Sequence, residues 1–381
     1  MVSDARSDAT RPHPSIVALG IAVPETVITQ DRVRDLFIAH AADDRRSARI
    51  VRAVFDSAAI DSRRTVVPEL GGVGTGAFVD ADSGRIGVPS TAARNARYAA
   101  AVPALFAEAA TEALAAGGVP TAVITHVITV SCTGFFAPGP EFGLVRDLGL
   151  RPNVQRYHLG FQGCAAAIPA LRMASQFCAA DPAAAVLVVC AELCSLHIQA
   201  STHPDQLVSS AIFADGAAAA IVSANPELVR DRRRLECGDF DSVIASEGEK
   251  DMRWTIADAG FDMTLTAAVP RIVGREVRGA LAGHGIVEHP PSRWAIHPGG
   301  RSILDRVESA LDLGDDALAA SRQVLRRFGN MSSATILFVL RDLLAAADLA
   351  DGERVLAAAF GPGLTVESAS LTARIPGSAG Q

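Results

Sequence analysis

A chain of 381 residues that is 49% hydrophobic can bury a large core, in one big domain or in two intimate halves. With 5% aromatic and 20% charged residues, alanine, valine and leucine supply much of the interior, as in layered α/β proteins. A formal net charge of −7 argues against the basic face of a nucleic-acid-binding protein.

The opening stretch MVSDARSDATRPHP is polar with no apolar h-region, so residues 1–14 read as a tail and not a secretory signal. No window reaches the roughly 18 uninterrupted apolar residues of a membrane span, so a cytoplasmic protein with no membrane contact is expected. Strand patterns follow at 15–23, 125–131, 185–192, 217–222, 293–297 and 355–360. Several are apolar on both faces, which suits central strands covered by helices. Helical patterns fall at 31–41, 90–116, 164–180, 269–282, 301–311, 316–327 and 331–347. This alternation predicts helices layered around buried sheets. The charged run NPELVRDRRRLECGD (225–239) is the best linker candidate; it divides the chain into halves 15–228 and 229–375, with 376–381 as a second tail. ELGGVGTGAF (69–78) is glycine-rich but does not connect strand to helix in dinucleotide-fingerprint order, and reads as a surface loop.

Six cysteines include no CxxC pair, and no histidine set completes a zinc spacing, so no metal site is expected. Each cysteine defaults to a buried hydrophobe. Cys164 departs from that default. In GFQGC (160–164) it follows Gly160 and Gly163 and leads an alanine-rich helix. Unsatisfied backbone N–H groups and the positive end of the helix dipole there favour thiolate over thiol.

A thiolate nucleophile works with a base and an amide or carboxylate. His297 ends the apolar strand of RWAIHPGG, at the carboxyl end where open α/β sheets bind ligands; a satisfied core histidine is the plain alternative. Asn330, in RRFGNMSSATILFVL, opens an apolar helix as either an ordinary N-cap or an amide donor turned into a cleft. The order Cys, His, Asn occurs in papain-like proteases, but there the cysteine lies near the mature N-terminus in a Cys–Gly–Ser–Cys–Trp context. A mid-chain cysteine leading an alanine helix fits decarboxylative Claisen condensation better.

Seven stretches, in this order, carry a family likeness: VSCTGFFAPGPE (130–141), GFQGCAAA (160–167), VLVVCAELCSLH (186–197), AIFADGAAAAIV (211–222), WAIHPGG (294–300), FGNMSSA (328–334) and FGPGLTVE (360–367). Together they resemble type III polyketide synthases, the chalcone synthase-like family, from about residue 15 to 375. The resemblance implies an α/β thiolase-like fold with a duplicated αβαβα core, assembled as a homodimer. It implies that Cys164 takes an acyl starter from coenzyme A, beside His297 as an ion pair. His297 and Asn330 then hydrogen-bond the malonyl thioester carbonyl as carbon dioxide leaves. Acyl-CoA and malonyl-CoA are the implied substrates, with no metal, flavin or nicotinamide. Repeated condensation and cyclisation give a pyrone, resorcinol or related phenolic product.

Residue by residue, Phe213 matches the family's gatekeeper aromatic. Cys132, Thr133, Cys194, His197, Trp254, Met263 and Ser332 match cavity-lining positions, and Gly363 belongs to the loop that shapes the wall. Arg52, with Arg49, Arg63 and Arg64 nearby, falls near the expected coenzyme A mouth, although the plant lysine pattern is absent. Met263 stands for a plant phenylalanine, Trp254 for a glycine and Ala137 for a methionine, so the cavity is reshaped in the manner of bacterial members. Two alternatives remain. A ketoacyl-ACP synthase III-like initiating enzyme reads His–Gln–Ala–Asn where this chain has HPGG. A noncatalytic thiolase-fold partner would have lost one of the three residues, and all three are present.

Overall fold

The computed structural model describes residues 13–40, 44–80, 82–201 and 203–377. Most of both expected tails, 1–12 and 378–381, lies outside these residues.

The first half of the chain holds β1 (Ser15–Ala22), β2 (Thr26–Thr29), β3 (Ser62–Thr65), β4 (His126–Ser131), β5 (Gln155–Gly160), β6 (Ala185–Leu193) and β7 (Asp215–Ser223). Between them run α1 (Gln30–His40), α2 (Arg45–Asp56), α3 (Thr91–Gly117), α4 (Pro140–Asp147), α5 (Ala167–Ala180) and α6 (Pro204–Ile212). The short α7 (Pro226–Val229) leads to β8 (Arg234–Ile244) and a hairpin of β9 (Met252–Ala257) and β10 (Gly260–Leu265). The rest comprises α8 (Val269–Ala280), β11 (Arg293–Ile296), α9 (Arg301–Leu311), α10 (Ala319–Phe328), α11 (Thr335–Ala345), β12 (Arg354–Gly361) and β13 (Thr365–Arg374).

Nine strands form one mixed sheet in the order β11-β12-β13-β8-β1-β7-β6-β4-β5. One pairing rule appears twice. On one side β1–β7 and β7–β6 are antiparallel and β6–β4 parallel; on the other β8–β13 and β13–β12 are antiparallel and β12–β11 parallel. This is the duplicated thiolase-like core, with β5 added parallel to β4 at one edge. Within the sheet the two sides pair through Ser15 with Glu236 and Ile16 with Leu235. The expected linker at 225–239 is therefore α7 followed by the start of a central strand. Of its charges, Glu236 is paired across the sheet, Arg374 of β13 lying 2.8 Å away, and Arg233 donates to the backbone carbonyl of Leu344.

Strands β6 and β7 are buried at every position, which their unbroken apolar and alanine runs permit. Helices α5 and α11 pack on strands from both sides of the sheet and share one core cluster with Leu171, Ile336 and Val339. Burying each such side chain stabilises by about 1.5–3 kcal/mol. The 27-residue α3 is apolar and long enough, by composition, to cross a bilayer; it lies along β1, β7 and β6 with Phe106, Ala109 and Ala113 buried.

The repeat also places chemistry. Cys164 sits in a 3-10 turn (Gly163–Ala165) ahead of α5, and Asn330 just precedes the matching turn (Ser332–Ala334) ahead of α11. Cys132 directly follows β4, as His297 directly follows β11.

Candidate active site

The turn that presents Cys164 is built for close approach. Phe161 and Gly163 both take left-handed backbone conformations, with φ of 58° and 61°. A Cβ at Gly163 would lie 2.5 Å from Cδ of Pro362, so only glycine fits. The thiol that follows is 9% exposed. Burial pushes it up to about 11, and hydrogen bonds from Ser332 and Asn330 pull it only partly back. The α-helix proper begins at Ala167. The turn and dipole favour the thiolate, but desolvation of the charged form works against them.

Asn330 fills both roles that its sequence context left open. Its backbone pairs with the segment carrying Phe213, its N–H donating to Ile212 O and its carbonyl accepting from Ala214 N, both at 2.8 Å. Its Oδ1 accepts from Ser332 N at 2.8 Å, the cap, and from Thr335 Oγ1 at 3.5 Å. With Oδ1 so occupied, Nδ2 is the outward donor, 3.9 Å from Cys164 Sγ.

His297 is 1% exposed and burial lowers it to about 3, so its ring is neutral. Its backbone N–H donates to Ala358 O at 2.8 Å, yet neither ring nitrogen has a protein partner. No protein group satisfies the ring, unlike that of a hydrogen-bonded core histidine. The ring lines the same cavity as Cys164 and Asn330.

That cavity is the larger of two chambers. The basic chamber, about 520 Å³, holds Cys164, His297 and Asn330 and carries Arg271, Arg301 and Arg306. The side chain of Arg301 is 56% exposed, so this chamber reaches the surface. The aromatic chamber, about 70 Å³, is lined by Cys132, Thr133, Cys194, His197, Trp254, Phe261 and Ser332. Cys164, Phe213, Met252 and Met263 line both, so Phe213 and Met263 stand where the chambers meet.

Two expected positions are not among the lining residues. Pro362 lines the aromatic chamber, but its neighbour Gly363 does not. Arg52 is exposed on α2, while the same helix lines the basic chamber through Val54, and Ser57 and Ala58 line it just beyond the helix end. Two residues of α-helix turn a side chain by about 200°, which sends Arg52 away from the face bearing Val54. The sequence reading missed Arg271, Arg301 and Arg306, which look like ordinary amphipathic-helix charges until α8 and α9 are packed together.

It also passed over Glu192, a lone acid in the buried run of β6. Its carboxylate accepts from Cys132 N (2.9 Å), Cys132 Sγ (3.3 Å), Thr133 Oγ1 (2.9 Å) and Ser333 Oγ (2.6 Å), and burial raises its pKa. Cys132 Sγ also lies 3.5 Å from Ser332 Oγ. Behind them His197 is held neutral, burial lowering it to about 4, with Nε2 donating to Thr133 O (2.7 Å) and Nδ1 accepting from Phe261 N (3.1 Å). The His197 ring stacks on Phe261 at 4.1 Å, and Trp254 Nε1 donates to Cys132 O at 2.7 Å. This network ties the walls of the aromatic chamber to one another. Among the described residues no group of three or more His, Cys, Asp or Glu could hold a metal ion.

A buried thiol, imidazole and amide at equivalent ends of a duplicated mixed sheet define a condensing enzyme of the thiolase-like fold. The chain belongs to the chalcone and stilbene synthase family of type III polyketide synthases: the family's N-terminal domain model matches residues 2–226 and its C-terminal domain model residues 241–374. It is similar to the crystal structure of the C-terminal type III polyketide synthase domain of Steely1, a type I/III hybrid from Dictyostelium. That match has 28% identity and a TM-score of 0.85 over 95% of this chain and 100% of the other. It is similar also to PKS-I from the brown alga Ectocarpus siliculosus, at 27% identity and a TM-score of 0.87 over 96% of this chain and 100% of that one. The protein is therefore a transferase of the polyketide synthase type.

Proposed function

We propose that the protein condenses malonyl-CoA iteratively onto an acyl-CoA starter held on Cys164, and that the chain then cyclises to a pyrone, resorcinol or related phenolic. The observation that carries this reading is the pairing of the Cys164 thiol with the Asn330 amide at 3.9 Å, in one chamber with an unpartnered His297 ring.

In this mechanism Sγ of Cys164 attacks the starter's thioester carbonyl while its proton passes to a ring nitrogen of His297. Both groups begin neutral, so the proton transfer accompanies the attack and does not precede it. Coenzyme A leaves as its thiol. Malonyl-CoA then places its thioester oxygen toward Asn330 Nδ2 and the His297 N–H. These fixed donors stabilise the enolate that develops as carbon dioxide departs; its carbon attacks the acyl-Cys164 thioester, expelling Cys164 as its thiolate and leaving the extended chain on coenzyme A. The guanidinium groups of Arg271, Arg301 and Arg306 suit the coenzyme A phosphates. The set needs no metal or redox cofactor.

The small aromatic chamber, narrowed by Trp254, favours a compact starter and few extensions, which fits the bacterial-type cavity read from Trp254, Met263 and Ala137. We propose a homodimer as well. Strand β5 leaves one edge of the sheet unpaired, and Phe135, Phe142 and Phe161 are 52%, 44% and 38% exposed nearby.

The test is to incubate purified protein with malonyl-CoA and a panel of acyl-CoAs. Carbon dioxide release and pyrone- or resorcinol-type products are expected. Thioester exchange without any decarboxylation would overturn the reading.

A further inference from the structure

Arg63 is a charged side chain deep in the molecule that the mechanism does not use. It lies on β3, is 2% exposed and lines the aromatic chamber. Its Nη1 donates to Ser210 O and Phe213 O, both at 2.7 Å, and its Nε and Nη2 have no protein partner. No carboxylate forms an ion pair with it among the described residues. Asp215 is near enough to stabilise the cation but has its own oxygens occupied by Ser195 N, Ser195 Oγ and Val66 N.

Burying a guanidinium for two backbone hydrogen bonds is costly, and a leucine would fill a core at less expense. What Arg63 holds is more specific. One bond fixes the carbonyl of Phe213, the residue between the chambers. Phe213 forms a parallel bridge with Asn330. The stem of Arg63 meets the residue before Asn330: a Cβ on Gly329 (φ 73°) would lie 2.9 Å from Arg63 Cγ and 3.0 Å from Ile212 O. One side chain therefore sets the gate and the amide donor in a common register. The turn bearing Cys164 is outside this clasp.

Resting on the condensing mechanism above, we propose that Arg63 is a positioning residue for decarboxylation, locking Phe213 and Asn330 together so that Nδ2 meets the malonyl oxygen. Acylation of Cys164 does not depend on it. A side chain that only filled the core would affect both half-reactions alike.

Arg63→Lys keeps the charge, but its stem ends one bond short of Nη1, the single nitrogen that reaches both carbonyls; Arg63→Met loses charge and donor; Gly329→Ala pushes the stem aside. Each variant is checked by circular dichroism melting, then read in two ways. Incubation with acyl-CoA alone is followed by intact mass to measure acyl-enzyme, and malonyl-CoA is added to measure carbon dioxide release. Arg63→Lys is expected to acylate within about twofold of wild type while decarboxylation falls about 10–100-fold, the cost of misplacing a group by about 1 Å. Arg63→Met is expected to lose more, and Gly329→Ala to show the same split. Parallel loss of both half-reactions in proportion to the unfolded fraction overturns the proposal, as does unchanged decarboxylation in Arg63→Lys. Failure of the wild-type protein to acylate at all would instead strike the condensing mechanism itself.

Discussion

The two halves of the sheet follow one pairing rule yet contribute opposite chemistry. The β4–α5 side supplies sulfur: Cys132 after the strand and Cys164 before the helix. The β11–α11 side supplies nitrogen at the corresponding places, His297 and Asn330. The first side is closely satisfied, with Cys132, Thr133 and Ser131 all bound to Glu192. On the second, the His297 ring has no protein partner. Duplication thus yields two equivalent strand and helix ends facing two chambers that meet at Cys164; one side offers an electron pair and the other N–H donors.

Removing each side in turn breaks the comparison. The largest effect is expected for Cys164→Ala, which should abolish the acyl-enzyme in intact mass spectrometry and all product with it. Next, His297→Gln should slow acylation, because the ring takes the Cys164 proton, and should also cut decarboxylation about 10²–10³-fold, as when a preorganised oxyanion donor is removed. Asn330→Ala should still acylate while decarboxylation falls by a similar factor. It should also melt lower, because the Ser332 N–H cap is lost at about 1 kcal/mol.

A pH profile sharpens the electrostatics. The free thiol sits up at about 11 and the imidazole down at about 3. Between those values neither is charged, so alkylation of Cys164 by iodoacetamide should keep accelerating above pH 9. A rate plateau beginning near neutral pH would show a resting thiolate–imidazolium pair instead. The smallest effect is expected from Trp254→Gly. It should leave acylation with a short starter nearly unchanged and shift products toward longer starters, read by liquid chromatography and mass spectrometry.

Much of the scaffold was legible because central strands are unbroken apolar runs and surface helices carry a 3.6-residue stripe. The reading at 301–311 coincides with α9 (Arg301–Leu311), and 185–192 lies within β6. The strands that escaped carry weaker patterns. β5 is exposed at alternate positions at the sheet edge, β13 alternates serine and threonine with apolar residues, and β8 begins in a charged run. The reacting trio was legible because each member ends or begins an element at a glycine-bearing turn. The clasp of Arg63, the network around Glu192 and the arginines of the basic chamber were not. Their meaning arises from contacts between segments distant in sequence, such as Arg63 with Phe213 and Cys132 with Ser332.

Three thiols, Cys132, Cys164 and Cys194, line the aromatic chamber, so which one carries the acyl group is the most direct question. Wild-type protein incubated with an acyl-CoA alone, digested and sequenced by tandem mass spectrometry should carry the acyl mass on the peptide containing Cys164. Acyl mass on Cys132 or Cys194, with Cys164 unmodified, would contradict the account.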